Sequence, residues 1–292
     1  MATASKTIVA TGCSSGLGFE LVKHLLSQAQ QPYRFVLGAR DKAQAQAAYD
    51  GINYDASRHS LSVLPLDLAD LRDVKTFAQQ ILERLGQTPI DYLLLNAANI
   101  KSSSVAAPHG SKWCESYVVN HLSQHYLIHL LREKLVESRS RIIVVSSGAI
   151  RIVKDTEAIE ADLKVGAGTA DPVIYSETKF VQLLGAHYWR RQLKGSCTVV
   201  AVSPGLIPGT GLARYTSFKP NIDMADAKPV PEGASSIHRA FTRDDLPEDP
   251  EQIFLTSWGE WWPKDVYSLT LDQELQDKWC PSKEDIEKEE SV

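Results

Sequence analysis

Short apolar runs recur along the chain, with longer stretches of mixed, helix-like pattern between them. The runs are Lys6–Ala10, Arg34–Leu37, Leu61–Leu64, Ile90–Leu95, Arg141–Val145 and Thr198–Val202. Each is rich in Val, Ile and Leu, and none alternates strictly. That pattern predicts strands covered on both faces, as in a parallel sheet. Leu17–Ala29, Leu71–Leu85 and Ser116–Val136 predict helices between them. Repeated strand-then-helix order predicts an α/β fold, a Rossmann-type doubly wound parallel sheet. The rhythm fails in two places. Residues 148–174 are mixed and contain glycine, which predicts an insertion or long loop. Residues 204–264 carry prolines from Pro204 to Pro263, which predicts an irregular cap with short helices, its substrate-facing part at 206–262. The tail, Ser282–Val292, is nearly all charged or polar and is expected to be solvated and frayed.

A doubly wound sheet can use the whole length, so residues 1–292 are expected to form a single domain. The hydrophobic fraction of 43% suits an ordinary core. With 36 acids against 31 bases the net charge is −5, which gives no bulk electrostatic reason to bind nucleic acid or an anionic membrane. Met1–Lys6 runs into a strand without a signal-peptide pattern. No run reaches the ~18 apolar residues of a membrane span. Cys13, Cys114, Cys197 and Cys280 lie far apart and make neither a metal pattern nor a disulfide framework. A reducing, cytoplasmic setting is the expectation.

The chemistry starts at the end of the first run. Thr11-Gly12-Cys13-Ser14-Ser15-Gly16-Leu17-Gly18 links a strand to a helix. Glycines there let the backbone turn tightly and approach a pyrophosphate, and the helix N-terminus offers free N–H groups. The second run ends in Arg40, with Lys42 two residues on, where an acid would bind the ribose of NAD. A guanidinium suits the 2′-phosphate of NADP instead. Asp67-Leu68 and Asn96-Ala97-Ala98 follow the next two runs, at strand ends where ligands bind in such sheets. Asn96 has two open readings, lining the adenosine or bracing neighbouring strands. Tyr175 and Lys179 are i and i+4 on a helix and share a face. A tyrosine of ordinary pKa near ~10 exchanges protons slowly at neutral pH, and a nearby ammonium would lower it.

Taken in order, Gly12/Gly16/Gly18, Asn96-Ala97-Ala98, Asn120, Ser146-Ser147, Tyr175/Lys179 and Pro204-Gly205 resemble the short-chain dehydrogenase/reductase family over about residues 5–215. The phrase Pro204–Leu212 and the Trp-containing end look most like its protochlorophyllide-reductase-like branch, which also contains light-independent reductases. The resemblance implies an NADPH/NADP+-dependent oxidoreductase. Tyr175 would be the general acid, Lys179 would lower its pKa and hold the nicotinamide ribose, and Ser147 would hydrogen-bond the carbonyl oxygen. Asn120 would hold a water linking Lys179 to solvent. Ser14, Ser15 and Leu17 belong to the cofactor turn, and Pro204, Gly205, Leu206 and Thr210 would close over the nicotinamide. Family members often form homodimers or homotetramers through two long helices, here around 112–135 and 175–193. Three departures stand out: Ala98 replaces the usual glycine, Ser147 lies 28 residues before Tyr175, and Gly209 takes the familiar threonine position beside Thr210.

His121 and His125, without a third ligand in register, are expected on a helix surface or interface, and no metal site is expected. Trp258, Trp261 and Trp262 are open to reading as lid, substrate wall, oligomer contact or ordinary core. The cap supplies Leu206, Ile207, Leu212, Tyr215, Phe218 and Met224, with Arg214 the main basic exception, which predicts a bulky, hydrophobic small-molecule substrate. Reduction of a ketone is the leading expectation. Reduction of a polarised C=C bond, and a non-catalytic NADP-sensing protein, are the alternatives.

Overall fold

The computed structural model describes residues 4–292 and turns the six apolar runs into six parallel strands, adding a seventh. They are β1 (Lys6–Thr11), β2 (Tyr33–Ala39), β3 (Ser60–Pro65), β4 (Tyr92–Leu95), β5 (Arg141–Val145), β6 (Thr198–Val202) and β7 (Phe254–Leu255). The order is β3-β2-β1-β4-β5-β6-β7, every pair parallel. β7 is missing from the sequence expectation because two residues carry no readable period.

Alternate residues of the central strands face two separate cores. Val9, Val36, Leu93, Ile142, Val144 and Val199 point to one. Ile8, Phe35, Leu94, Ile143, Val145 and Val200 point to the other. Burial on both faces explains why the runs do not alternate with polar residues. The first core is closed by α3 (Leu71–Leu85), α5 (Ser123–Ser138) and α7 (Asp171–Gln192), the second by α1 (Gly16–Leu26), α2 (Lys42–Asp50) and, later in the chain, α8 (Val230–Thr242). Between α3 and α7 lie two short helices, α4 (Glu115–Tyr117) and α6 (Ile159–Asp162). The last helices are α9 (Gln273–Trp279) and α10 (Lys283–Glu290). Asp41 and Asp70 cap α2 and α3 by accepting from the N–H of Gln44 and Arg72.

Three expectations need correction. α8, at 13 residues, is longer than the short helices expected in the proline-rich stretch. Pro229 and Pro231 sit at its first turn, where a missing N–H costs nothing, so the prolines start a helix that packs on α1. The tail is helical rather than frayed. Ser282 caps α10, Ile286 is buried, and Tyr126 and Trp113 donate to Glu287 and Glu289 at 2.8 and 3.0 Å. His121 and His125 are buried rather than on a surface. Their Nε2–H groups donate to the carbonyls of Trp279 and Pro281 at 2.8 and 2.9 Å, and His125 Nδ1 accepts from Trp189 at 2.9 Å. Burial holds the His121 imidazole down at about 4, so it is neutral. Among the described residues there is no cluster of His, Cys, Asp and Glu that could hold a metal, and no helix long and apolar enough to cross a membrane.

The C-terminal segment lies along α5 and α7, the helices on which the resemblance places a subunit contact. From Ile174 to His187 every residue of α7 except Tyr175 is buried. Removing the apolar contact at the end of this segment should loosen it. Ile286→Ala is expected to lower unfolding free energy by about 2 kcal/mol, the low end for a buried Ile truncation because the helix is terminal. A urea midpoint equal to the parent's would show that α10 adds nothing to the fold.

Candidate active site

The strand order reverses between β1 and β4, and the turns leaving them meet there. Gly12 sits at φ +68°, and a Cβ on it would lie 2.5 Å from Ala97 Cα. Gly18 is equally confined, since a Cβ there would lie 2.5 Å from the Gly12 oxygen. Asn96 Nδ2 donates to that same oxygen at 2.7 Å, and Thr11 Oγ1 accepts from the N–H of Asn96 and Ala97. Asn96 therefore braces the two turns, and it also lines the cavity. The first turn of α1 has no acidic residue, and its N-cap Ser15 makes no side-chain cap bond. Its N–H groups are thus free to meet an anion.

A cavity of about 630 Å³ runs along the C-terminal edge of the sheet, a size suited to a cofactor or drug-sized ligand. Segments following all seven strands line it. Gly12, Ser14, Ser15, Gly16 and Leu17 form one end, with Arg40, Asp67, Leu68, Asn96, Ala97 and Ala98. Arg40 is exposed and makes no salt bridge within 4.0 Å among the described residues. Lys42 opens α2 and does not line the cavity. Ser147, Tyr175 and Lys179 line the cavity too, followed by Pro204, Gly205, Leu206 and Thr210. Thr210 comes over the glycine turn, its Cβ 3.4 Å from where a Gly16 Cβ would lie. Gly18 and Asn120 are packed behind the wall.

Ser147 caps the turn after β5, its Oγ accepting from Ala149 N–H at 3.2 Å. Burial pushes the Tyr175 phenol above its ordinary value, and the adjacent Ser147 hydroxyl works against that rise. Lys179 is buried on α7. Its Nζ donates to Val145 O at 2.8 Å and Gln182 Oε1 at 3.0 Å, and lies 6.0 Å from the Tyr175 ring centre. Burial lowers the ammonium to about 7. Burial thus works against the charged form through which Lys179 would act on Tyr175. The lysine is only partly charged near neutral pH, and its protons go to Val145 and Gln182.

Asn120 sits behind the cavity wall, beside Lys179 in the chain's packing. A π-turn, Val118–Leu122, carries it, and its Nδ2 donates to Asn99 O at 2.9 Å and Thr178 Oγ1 at 3.0 Å. Asn99 N–H donates to its Oδ1 at 2.8 Å. The amide clamps the β4 turn to α7, one residue from Lys179, so its N–H groups are occupied. Gln124 Nε2 meets the backbone oxygens of Val119 and Asn120 at 2.9 and 3.2 Å. Gln124 and Gln182 carry no sequence signal, since their roles rest on backbone oxygens and a side chain that only the folded helices bring near. Ser146 Oγ is buried at the cavity wall without a hydrogen-bond partner among the described residues. In the cap, Leu206, Ile207, Leu212, Tyr215, Phe218, Trp258 and Trp262 line the cavity, whereas Met224 and Trp261 do not. Trp261 packs on the second core.

Such a sheet, with a glycine turn at its reversal and a hydroxyl–phenol–amine group beside it, is the frame of an oxidoreductase. The sequence profile of short chain dehydrogenases matches residues 6–155. A short-chain dehydrogenase/reductase of Pestalotiopsis microspora is 63% identical over 98% of this chain and 99% of its own. Retinol dehydrogenase 14 of Mus musculus is 32% identical over 72% of this chain and 63% of its own. The NADPH-bound carbonyl reductase from chicken fatty liver superposes with TM-score 0.67 at 20% identity, covering 89% of this chain and 94% of that one. The carbonyl reductase Sniffer of D. melanogaster gives 0.61 at 22% identity, over 88% and 98%. The chain belongs to the short-chain dehydrogenase/reductase family.

The buried lysine has a measurable signature. Folded, Lys179 holds its proton only below about 7, against an ordinary 10.5 unfolded. Between those values the unfolded chain binds more protons, so this group's contribution to stability rises with pH, and its penalty is complete below the lower value. Lys179→Met should therefore gain more stability at about pH 6 than at about pH 9, by roughly 2–3 kcal/mol. Urea titrations at the two values check this. An equal effect at both would mean the lysine is fully charged in the fold.

Proposed function

We propose that this protein is an NADPH-dependent reductase of bulky, largely apolar ketones, with Tyr175 as proton donor. The observation that carries the reading is that Ser147, Tyr175 and Lys179 line one cavity with the glycine turn and Arg40. The residues fit the cofactor's chemistry. The uncapped, acid-free N-terminus of α1 and the close backbone at Gly12 suit a pyrophosphate. Arg40 suits a 2′-phosphate; Asp67, Leu68, Asn96, Ala97 and Ala98 suit the adenosine side; Pro204, Gly205, Leu206 and Thr210 suit the nicotinamide side. The NADPH named with the chicken carbonyl reductase supports the same choice.

When bound, NADPH supplies the hydride that a carbonyl carbon accepts. The chain's own part is the oxygen. Ser147 donates a hydrogen bond to it, one that strengthens as negative charge develops. Tyr175 delivers the proton that completes the alcohol. Burial raises the phenol's pKa and keeps it protonated, which suits reduction. Lys179 gives Tyr175 a charged neighbour when it takes up a proton, and its Nζ can hold a ribose hydroxyl. The substrate class follows from the wall. Ile152, Tyr215, Phe218 and Trp258 are exposed apolar surface at the cavity, 65%, 51%, 47% and 50% accessible, and such surface marks a binding site for apolar matter.

Tyr175→Phe should keep the fold and cofactor binding and lose about 10²–10⁴-fold in turnover. Near-normal turnover would remove Tyr175 from the mechanism, and no turnover by the parent on any of a broad ketone series would favour a binding protein. Arg40→Ala should weaken NADPH by about 10- to 150-fold and leave NADH nearly unchanged. Equal binding of both cofactors to mutant and parent would place phosphate selectivity elsewhere.

A further inference from the structure

The cavity wall beside Ser147 holds a guanidinium that the proposed reaction does not use. Arg151 lies on the 3-10 turn Gly148–Ile152, directly after Ser147. Its Nε donates to Gly148 O at 3.0 Å, which folds the head group back over its own turn. A Cβ on Gly148 would lie 3.3 Å from Arg151 Nη2. The guanidinium carbon sits 5.2 Å from the centre of the Trp262 ring. Arg151 is exposed, and one carbonyl and one aromatic face hold its head group at the cavity. Nη1 and Nη2 have no hydrogen-bond partner among the described residues, and no carboxylate lies within 4.0 Å of them. Arg151, Trp262, Ile152, Ser147 and Tyr175 all line the same cavity.

We infer that Arg151 is a specificity-determining residue that selects ketones carrying a carboxylate near the reacting carbonyl. The inference rests on the carbonyl-reductase reading above and narrows its substrate to a bulky, aryl-type keto acid. The free Nη edge is a planar fork that matches a carboxylate with two parallel hydrogen bonds. Arg151 and Ser147 belong to one turn and line one cavity, so the anchor would hold the acid on the Ser147 side of the substrate. The substrate body then rests on Trp262 and Ile152 and shields the ion pair from water, which strengthens it over an open surface pair. Arg214 makes a similar fold, Nε on Gly211 O at 2.7 Å and guanidinium 5.4 Å from the Tyr215 ring. It lines the same cavity from the cap side, whereas Arg151 shares its turn with Ser147.

The test uses a biphenyl ketone with a carboxylate two carbons from the carbonyl, and its methyl ester. Kinetics with NADPH give the acid-to-ester ratio of kcat/KM. Calorimetry on the protein saturated with NADP+, where a ketone cannot be reduced, gives the ratio of affinities. Both ratios should favour the acid in the parent and fall about 10- to 100-fold in Arg151→Gln, with partial recovery in Arg151→Lys. Ratios near unity in the parent, ratios unchanged in Arg151→Gln, a loss found in Arg214→Gln instead, or no binding of either compound would each overturn the assignment. Acid-selective binding that depends on Arg151 but comes without reduction would uphold the anchor and overturn the reductase reading.

Discussion

The site depends first on how closely two turns approach at the reversal of the sheet. The backbone of Ala97 lies where a side chain on Gly12 would be, and the Asn96 amide ties the two turns through the Gly12 oxygen. Any β-carbon at residue 12 would force β1 and β4 apart at their C-terminal ends. The N-terminus of α1 would then no longer face the edge of β4. The glycine's absent side chain thus links a fact of sequence to the position of a row of unpaired N–H groups, and through them to an anion site.

The reactive half is built on a different constraint, the burial of α7. That helix is enclosed by the sheet on one side and the C-terminal segment on the other, so Lys179 sits in a dry environment and loses much of its hold on its proton. Tyr175 is the one residue between Ile174 and His187 left open, and it opens into the cavity. The enclosing segment is itself held by buried histidines acting as neutral donors to backbone oxygens. Fold stability and active-site electrostatics therefore share one helix.

Much of this was legible in the sequence where a short-range rule applied. Buried parallel strands read as continuous apolar runs, and six of the seven showed it. The glycine turn and the Tyr175/Lys179 spacing are local and survived folding unchanged. Misreadings arose where composition pointed against context. The prolines of the cap suggested only short helices, whereas Pro229 and Pro231 start the 13-residue α8. The tail looked solvated because its charged residues pair with Tyr126 and Trp113, more than 150 positions away, and a single Ile286 carries its apolar contact. His121 and His125 looked like surface because nothing in their own helix indicates the backbone oxygens that satisfy them. Arg151 was overlooked inside a stretch read as a loop, since its meaning depends on Trp262, which follows it by over a hundred residues.

The central claim is that the two halves of the cavity serve one reaction, hydride delivery to a carbonyl carbon with proton delivery from Tyr175. The most direct measurement is the fate of deuterium from NADPH labelled at the transferring position, followed by mass spectrometry and NMR of the product of a bulky aryl enone. The account predicts one deuterium on the carbinol carbon and none on its neighbours. Deuterium on the saturated β-carbon, with the ketone intact, would contradict it and assign the cavity to reduction of the C=C bond.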